Sequence, residues 1–218
     1  MAIKELWKIF PDNKDYKGVL LKSIVLNTLY STQIRAIKTV ARNIFELDID
    51  ARLLQGDPQA VDQIAKLTIS GKERRNYSFA TKYCSFHNPS AFPIYDSIVD
   101  KVLRAYQKQD KFLHEPLGDL KDYRRFKEVL ERFVDFYEGL GKPSWRELDY
   151  FLHDYGRETF AKTRVMGFAD FCRPLRGLAL HNWIDPRAHA RGYFLSPLRG
   201  SLSCPVSIER SLSYSYFQ

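Results

Sequence analysis

Cysteine is scarce. The chain of 218 residues has three, Cys84, Cys172 and Cys204, far apart and never in a Cys-x-x-Cys pair. The odd number and the wide spacing argue against a disulfide framework, a thiolate zinc site and a Cys-ligated iron–sulfur cluster, and point to free thiols in a reducing compartment. Long apolar runs are missing too. The opening "MAIKELWKIFPDNKDY" carries a charge every few residues. It reads as neither a signal peptide nor a membrane span, so a cytoplasmic protein with no membrane partner is expected. No Gly-rich phosphate loop, Ser-His-Asp order or internal repeat is present. The five histidines lack metal-ligand spacing. "HNWIDPRAH" at 181–189 sets two histidines and an aspartate together, but without helical framing. Neither a metal nor a cofactor is expected.

What is present is ordinary in amount and biased in sign. Apolar residues make up 44% and charged residues 28%, enough for a packed core. The net charge is +8 and the pI about 9.3. Such an excess favours a phosphate backbone or another anionic surface as partner. It is equally the mark of a basic protein with solvated lysines.

Strand-like alternation is almost absent, and apolar residues recur at helical spacing, so the body is expected to be all-α. Residues 16–31 place Val19, Leu20, Ile24, Val25 and Leu29 as in a buried helix. "TQIRAIKTVARNIF" at 32–45 reads as an amphipathic helix with Arg35, Lys38 and Arg42 on its polar face. Asp57-Pro58 opens a short helix. Helical patterns follow over 74–86, after Asp96 and over 121–140. Ser144 and Glu147 form a capping box for a last helix that Gly156 is expected to end. Lys162 is the last lysine, every later basic side chain except histidine is arginine, and proline, serine and glycine rise. A helical domain over 1–173 and a weakly ordered tail over 174–218 are expected; an altered reading frame at the end of the gene would give the same shift.

One loop stands out. "HNPSAFPIYDS" at 87–97 has two prolines and delivers Asp96 as a helical pattern begins. Alone, such an aspartate is an N-cap. Upstream lie Lys72, Arg74, Arg75 and Asn76, at the expected start of a helix whose free N–H groups favour an anion. A carboxylate held near a sugar–phosphate backbone can stabilise a cationic sugar as a base leaves, or activate water.

Two stretches carry a resemblance. "LLKSIVLNTLYSTQIRAIKTVARNI" (20–44) and "ISGKERRNYSFATKYCSFHNPSAFPIYDSIVDKVL" (69–103) look like the helix-hairpin-helix DNA glycosylases, the endonuclease III and oxoguanine glycosylase superfamily. They span about a quarter to a third of the chain. The resemblance implies a helix-hairpin-helix glycosylase-like helical domain. The short segment between the two stretches leaves room for a reduced barrel. Asp96 falls at the family's catalytic aspartate, and Gln33 where a polar side chain fills the gap left by a flipped base. Ser78 falls at the lysine of bifunctional members, and serine forms no Schiff base. Lys82, one turn on at i+4, could reach the site, but is read first as a solvated lysine. Arg74 and Asn76 stand at the glycines of the family's Gly-x-Gly turn. Tyr30, His87, Tyr95 and Trp145 are candidates to sandwich a base, each equally at home in a core.

These implications lead to a monofunctional glycosylase that flips out and excises a modified or damaged base, with Asp96 stabilising the sugar cation or activating water. DNA is expected ahead of RNA. The alternative is a non-enzymatic DNA- or RNA-binding relative, and a third reading is a basic interaction protein with an acidic partner.

Overall fold

Three aspartates start three of the helices. Asp15, Asp96 and Asp122 each sit in extended backbone and accept from N–H groups of the following turn, satisfying donors that no helical carbonyl can reach. The computed structural model describes residues 2–69 and 71–162; the expected tail over 174–218, with His181 and His189, lies outside the described residues. In chain order the elements are α1 (Ala2–Ile9), α2 (Tyr16–Leu29), α3 (Ile37–Glu46), α4 (Asp50–Gln55) and α5 (Gln59–Ala65). There follow β1 (Lys66–Ile69), β2 (Lys72–Arg75), α6 (Tyr77–His87), α7 (Ser97–Asp110), α8 (Tyr123–Phe136), a 3-10 turn (Glu138–Leu140) and α9 (Trp145–Lys162).

The protein is predominantly helical, with one correction to the all-α expectation. Strands β1 and β2 form an antiparallel hairpin in which Lys66 faces Arg75 and Ile69 faces Lys72. The basic run 72–75 is therefore strand, and α6 begins only at Tyr77. The hairpin joins α5 to α6, and these two helices pack on each other.

Helix α6 lies at the centre. Phe79, Ala80, Tyr83 and Cys84 are all buried, and α1, α2, α4 and α5 contact it. Burying such an aromatic contributes roughly 1.5–3 kcal/mol. Helices α7 and α9 pack closely at Gly156: a Cβ there would come within 2.4 Å of Ile98 and 2.7 Å of Val102. This corrects the expectation that Gly156 ends its helix. The residue is mid-helix, and it is the absence of a side chain that lets α7 approach. The Ser144–Glu147 capping box forms as expected, with Ser144 N–H donating to Glu147 Oε2 at 2.8 Å.

The helix expected over 32–45 begins only at Ile37. Before it, Ser31 and Gln33 take left-handed backbone (φ 47° and 57°), which a helix cannot accommodate. Asn27 holds that loop: its amide donates to Ile34 O at 3.1 Å and accepts from Ile34 N–H at 3.0 Å. Arg35, Lys38 and Arg42 are exposed while Val40, Ala41 and Ile44 are buried, so the basic face exists.

Candidate functional site

The loop before Asp96 is clamped along its length. Asn88 donates to Leu53 O and Leu54 O, both at 3.1 Å. Gly56 closes α4 at φ 72°, and a Cβ there would lie 2.6 Å from the Ala91 methyl, so the loop packs directly on the helix end. The buried Tyr123 hydroxyl donates to Pro93 O at 2.9 Å. Tyr95 N–H donates to Thr81 Oγ1 at 3.1 Å. Supports from α4, α6 and α8 thus fix where the loop ends.

Asp96 divides its two oxygens. Oδ1 accepts from Ile98 N–H at 2.8 Å, which caps α7. Oδ2 faces Lys82 Nζ at 3.6 Å; the Asp96 side chain is 26% exposed and that of Lys82 5%. Capping and an outward-facing carboxylate are therefore compatible in one residue.

Lys82 is not solvated, contrary to the expectation from sequence. It donates to Ser78 Oγ at 2.6 Å and Tyr95 O at 3.3 Å, and lies 5.7 Å from the Tyr30 ring centroid. The reason is that α6 is buried on nearly every face, so the lysine has no path to water. Burial lowers its pKa, and Asp96 acts against that shift. Ser78, read as the absence of a nucleophile, is the oxygen that orients this ammonium.

A second cation closes the far side. Arg146 on α9 donates to the Tyr30 hydroxyl at 2.8 Å. Its guanidinium lies 4.9 Å from the Phe86 ring and 5.2 Å from that of Tyr150, which is exposed. One position beyond the capping box stands Leu148, fully buried, and next to it Asp149, partly buried. Burial pushes the Asp149 carboxyl up to about 6, and Asp96 adds to this while Arg146, Lys82 and His153 oppose it. Lys82, Arg146 and Asp149 were not among the site residues expected. The local pattern pointed the other way for Lys82: Ser78, Thr81, Lys82 and Ser85 fall at i, i+3, i+4 and i+7, a polar stripe that ordinarily faces solvent, and only packing buries it.

The other expected residues scatter. Tyr30 belongs to the site just described. Gln33 is exposed in its left-handed conformation on the same loop, three residues on. Trp145 is half-buried and lines a cavity of about 10 Å³ with Pro93, Ile94 and Asp149, far too small for a base. Tyr95 turns its side chain into the core against Tyr77 and Phe126 and donates to Asp100 at 2.9 Å. His87 is taken by Lys22 Nζ at 3.2 Å, and burial lowers its pKa to about 3. Neither ring is presented as a platform beside Asp96.

On β2, Lys72 and Arg74 are exposed. Arg75 is engaged: it pairs with Asp62 at 3.0 Å, donates to Lys121 O at 2.8 Å and lies over Tyr77. Asn76 has φ −93°, so it does not supply a glycine-like turn; its Nδ2 is buried with no hydrogen-bond partner among the described residues. A larger cleft of about 530 Å³, lined by Asp62, Arg75, Asp122 and Arg124 among others, shares no residue with the Asp96 cluster. Among the described residues no group of three or more His, Cys, Asp or Glu is placed to hold a metal, and no helix is long and apolar enough to cross a membrane.

Comparison with known proteins gives two matches. The HI_0787_N family model, described as an N-terminal domain, matches residues 1–91. That stretch includes Tyr30, Ser78 and Lys82 and stops short of Asp96. An uncharacterized protein of Haemophilus influenzae is 49% identical over 154 residues, which is 70% of this chain and 73% of that one. No solved structure matches.

Proposed function

We propose that this chain, which belongs to one family with the Haemophilus influenzae protein, is a nucleic-acid N-glycosylase of the helix-hairpin-helix type, acting by hydrolysis at Asp96. The observation that carries the reading is the clamped loop, which fixes a partly exposed carboxylate 3.6 Å from a buried lysine. Two further features support it. Helices α5 and α6 are packed together and joined by a hairpin whose Lys72 and Arg74 are free to meet phosphate. Tyr30 lies against Lys82 and accepts from Arg146, which in turn lies over the exposed Tyr150 ring.

In this reading the target base leaves its stack, because the glycosidic bond is out of reach within it. As the C1′–N bond lengthens, positive charge grows on the sugar, and the Asp96 carboxylate opposes it. Water then adds at C1′, with Asp96 orienting it and taking its proton. Lys82 donates to Ser78 and the Tyr95 carbonyl and lies 3.6 Å from Asp96, so it holds the carboxylate from behind, while Ser78 stands where bifunctional members carry the lysine that forms the covalent sugar adduct. DNA is the substrate favoured over RNA.

A second reading is a non-enzymatic nucleic-acid-binding member. The cavity of about 10 Å³ behind Asp149 favours it, since no base-sized pocket stands open there. The two are separated by Asp96→Asn. Asparagine is as good an N-cap as aspartate, so α7 is retained. The glycosylase reading expects base release to fall roughly 10²–10⁴-fold while salt-sensitive DNA affinity changes little. Equal release by the variant and the wild type would rule out the mechanism. DNA binding with no release by the wild type from any substrate would leave the binding reading.

A further inference from the structure

Arg146 is the cation of the cluster to which the mechanism above gives no task. It stands in the first turn of α9 and is half-buried, as is Tyr30. Its surroundings are aromatic. The guanidinium donates to the Tyr30 hydroxyl at 2.8 Å and lies 4.9 Å from the Phe86 ring and 5.2 Å from the ring of Tyr150, which is 52% exposed. Tyr30 meets Phe86 edge-on at 5.9 Å, so the frame is itself packed. A guanidinium carries five N–H donors in one plane. The Tyr30 hydroxyl takes one of them, and Tyr150 is the other phenol that acts on it.

What the frame lacks is a counter-charge. Among the described residues no carboxylate lies within ion-pair distance of Arg146. Asp149, on the same helix, acts on it electrostatically without pairing. Arg125 shows the usual solution: its side chain, 20% exposed, meets Glu115 at 2.8 Å and Glu128 at 3.0 Å. Arg146 has rings where Arg125 has carboxylates. Rings and a neutral hydroxyl fix the plane of a guanidinium but leave its charge uncompensated. The donors left over match the oxygens of an anion, and the planar fork suits phosphate. A neutral acceptor on a base edge would leave the charge as it is.

Position says which anion. The Tyr30 ring lies 5.7 Å from Lys82 Nζ, and Lys82 Nζ lies 3.6 Å from Asp96 Oδ2. Arg146 and Asp96 are thus linked through one ring and one lysine. A strand that brings a sugar to Asp96 carries a phosphate on either side of that sugar. Resting on the reading in which Asp96 faces the sugar, we propose that Arg146 holds a backbone phosphate next to the target nucleotide, with Tyr30 and Tyr150 fixing the guanidinium that grips it. The contact is to the backbone, so it serves every target base alike. Arg146 is a binding residue, and its loss is felt before the chemical step.

The test uses the full chain and a duplex with a tetrahydrofuran abasic analogue at the target position. That duplex has no base to release, so binding is read apart from activity. Fluorescence anisotropy is measured between about 50 and 200 mM salt. Arg146→Met should weaken binding about 10-fold or more and lower the slope of log affinity against log salt by about 1. Arg146→Lys keeps the charge without the fork, so it should keep the slope and recover part of the affinity. A single uncharged methylphosphonate is then placed in turn at each phosphate flanking the analogue. At one position it should weaken wild type about 10-fold and Arg146→Met less than about 2-fold. The proposal is overturned if every methylphosphonate weakens the two proteins equally, or if Arg146→Met leaves affinity and salt slope unchanged. A loss confined to duplexes with one particular base in place of the analogue would assign Arg146 to a base edge and overturn it as well. If Arg146→Met does not fold, the same scan of wild type against Arg146→Lys decides, with a smaller penalty expected in the variant at that one position. Failure of wild type to bind any duplex at low salt would remove the nucleic-acid reading and the proposal with it. Binding without release of any base from intact substrates would remove the glycosylase reading alone and leave the result of the scan standing.

Discussion

Lys22 on α2 and Lys82 on α6 are both cut off from solvent, at 0% and 4% exposed, yet they are surrounded by different chemistry. Lys22 meets neutral groups only: Phe10 O at 3.1 Å, Asp12 O at 2.7 Å, Asn13 Oδ1 at 3.0 Å and His87 Nε2 at 3.2 Å. The Trp7 and Tyr83 rings flank it. Asn13 is in turn held by Asp50 through two hydrogen bonds. This is a saturated network that stitches the segment before α2 to α6. Burial lowers the Lys22 pKa to about 8, which is the cost of placing the cation there. Lys82 meets a carboxylate that is itself a quarter exposed, and Asp149 acts on it electrostatically. The lesson is that burial of a lysine does not by itself mark a site. A buried cation whose counter-charge still faces outward does.

The comparison can be broken by removing each ammonium in turn. Lys22→Met should cost about 3–5 kcal/mol of stability, because it leaves two backbone carbonyls and Asn13 short of a donor. Urea unfolding measures this, and base release per folded molecule should stay near wild type. Lys82→Met should do the reverse: release falls about 100-fold, while stability falls less than in Lys22→Met, since Asp96 keeps its cap and its access to water. Equal stability losses with no activity difference would erase the distinction.

Gly156→Ala sharpens it. The added methyl presses on Ile98 and Val102 and should cost about 1–3 kcal/mol. It should also shift α9, with Arg146 and Asp149, away from Lys82, and so slow release while leaving the Lys22 network untouched. The smallest effect concerns pH. Burial lowers the His87 pKa to about 3, below its ordinary value near 6.5, so the unfolded chain binds more protons between those limits. That stabilising contribution is complete above pH 6.5 and is lost as pH falls toward 3. Chemical denaturation of wild type and His87→Gln at pH 6.5 and 5 should show the wild type losing about 1–2 kcal/mol more than the variant at the lower pH; comparison with the variant separates His87 from Asp149, whose raised pKa acts in the opposite sense.

Much of this arrangement was legible locally. The prolines and Asp96 marked a fixed loop ending in a cap, and Ser144 with Glu147 marked the start of α9. Helical periodicity gave the body of the fold. The hairpin was not legible because "KLTI" alternates polar and apolar over only four residues, too few to stand out, and "KERR" is exposed throughout and shows no alternation. Gly156 read as a stop because nothing in its own helix reveals that α7 needs the space. Lys82 was misjudged for a related reason: its spacing from Ser78 placed it correctly, but only tertiary packing removes it from water. Arg146 and Asp149 sit in an amphipathic stretch where charged residues ordinarily face solvent, so their convergence on Tyr30 and Lys82, more than sixty residues away in sequence, left no local trace.

The central claim is that Asp96 serves base release. Mass spectrometry of bases liberated from genomic DNA, phage-type modified DNA and RNA, wild type against Asp96→Asn, tests it most directly. The account predicts at least one base released by the wild type, from DNA, and lost in the variant. Release undiminished in Asp96→Asn, or no base released from any of the three by the wild type, would contradict it.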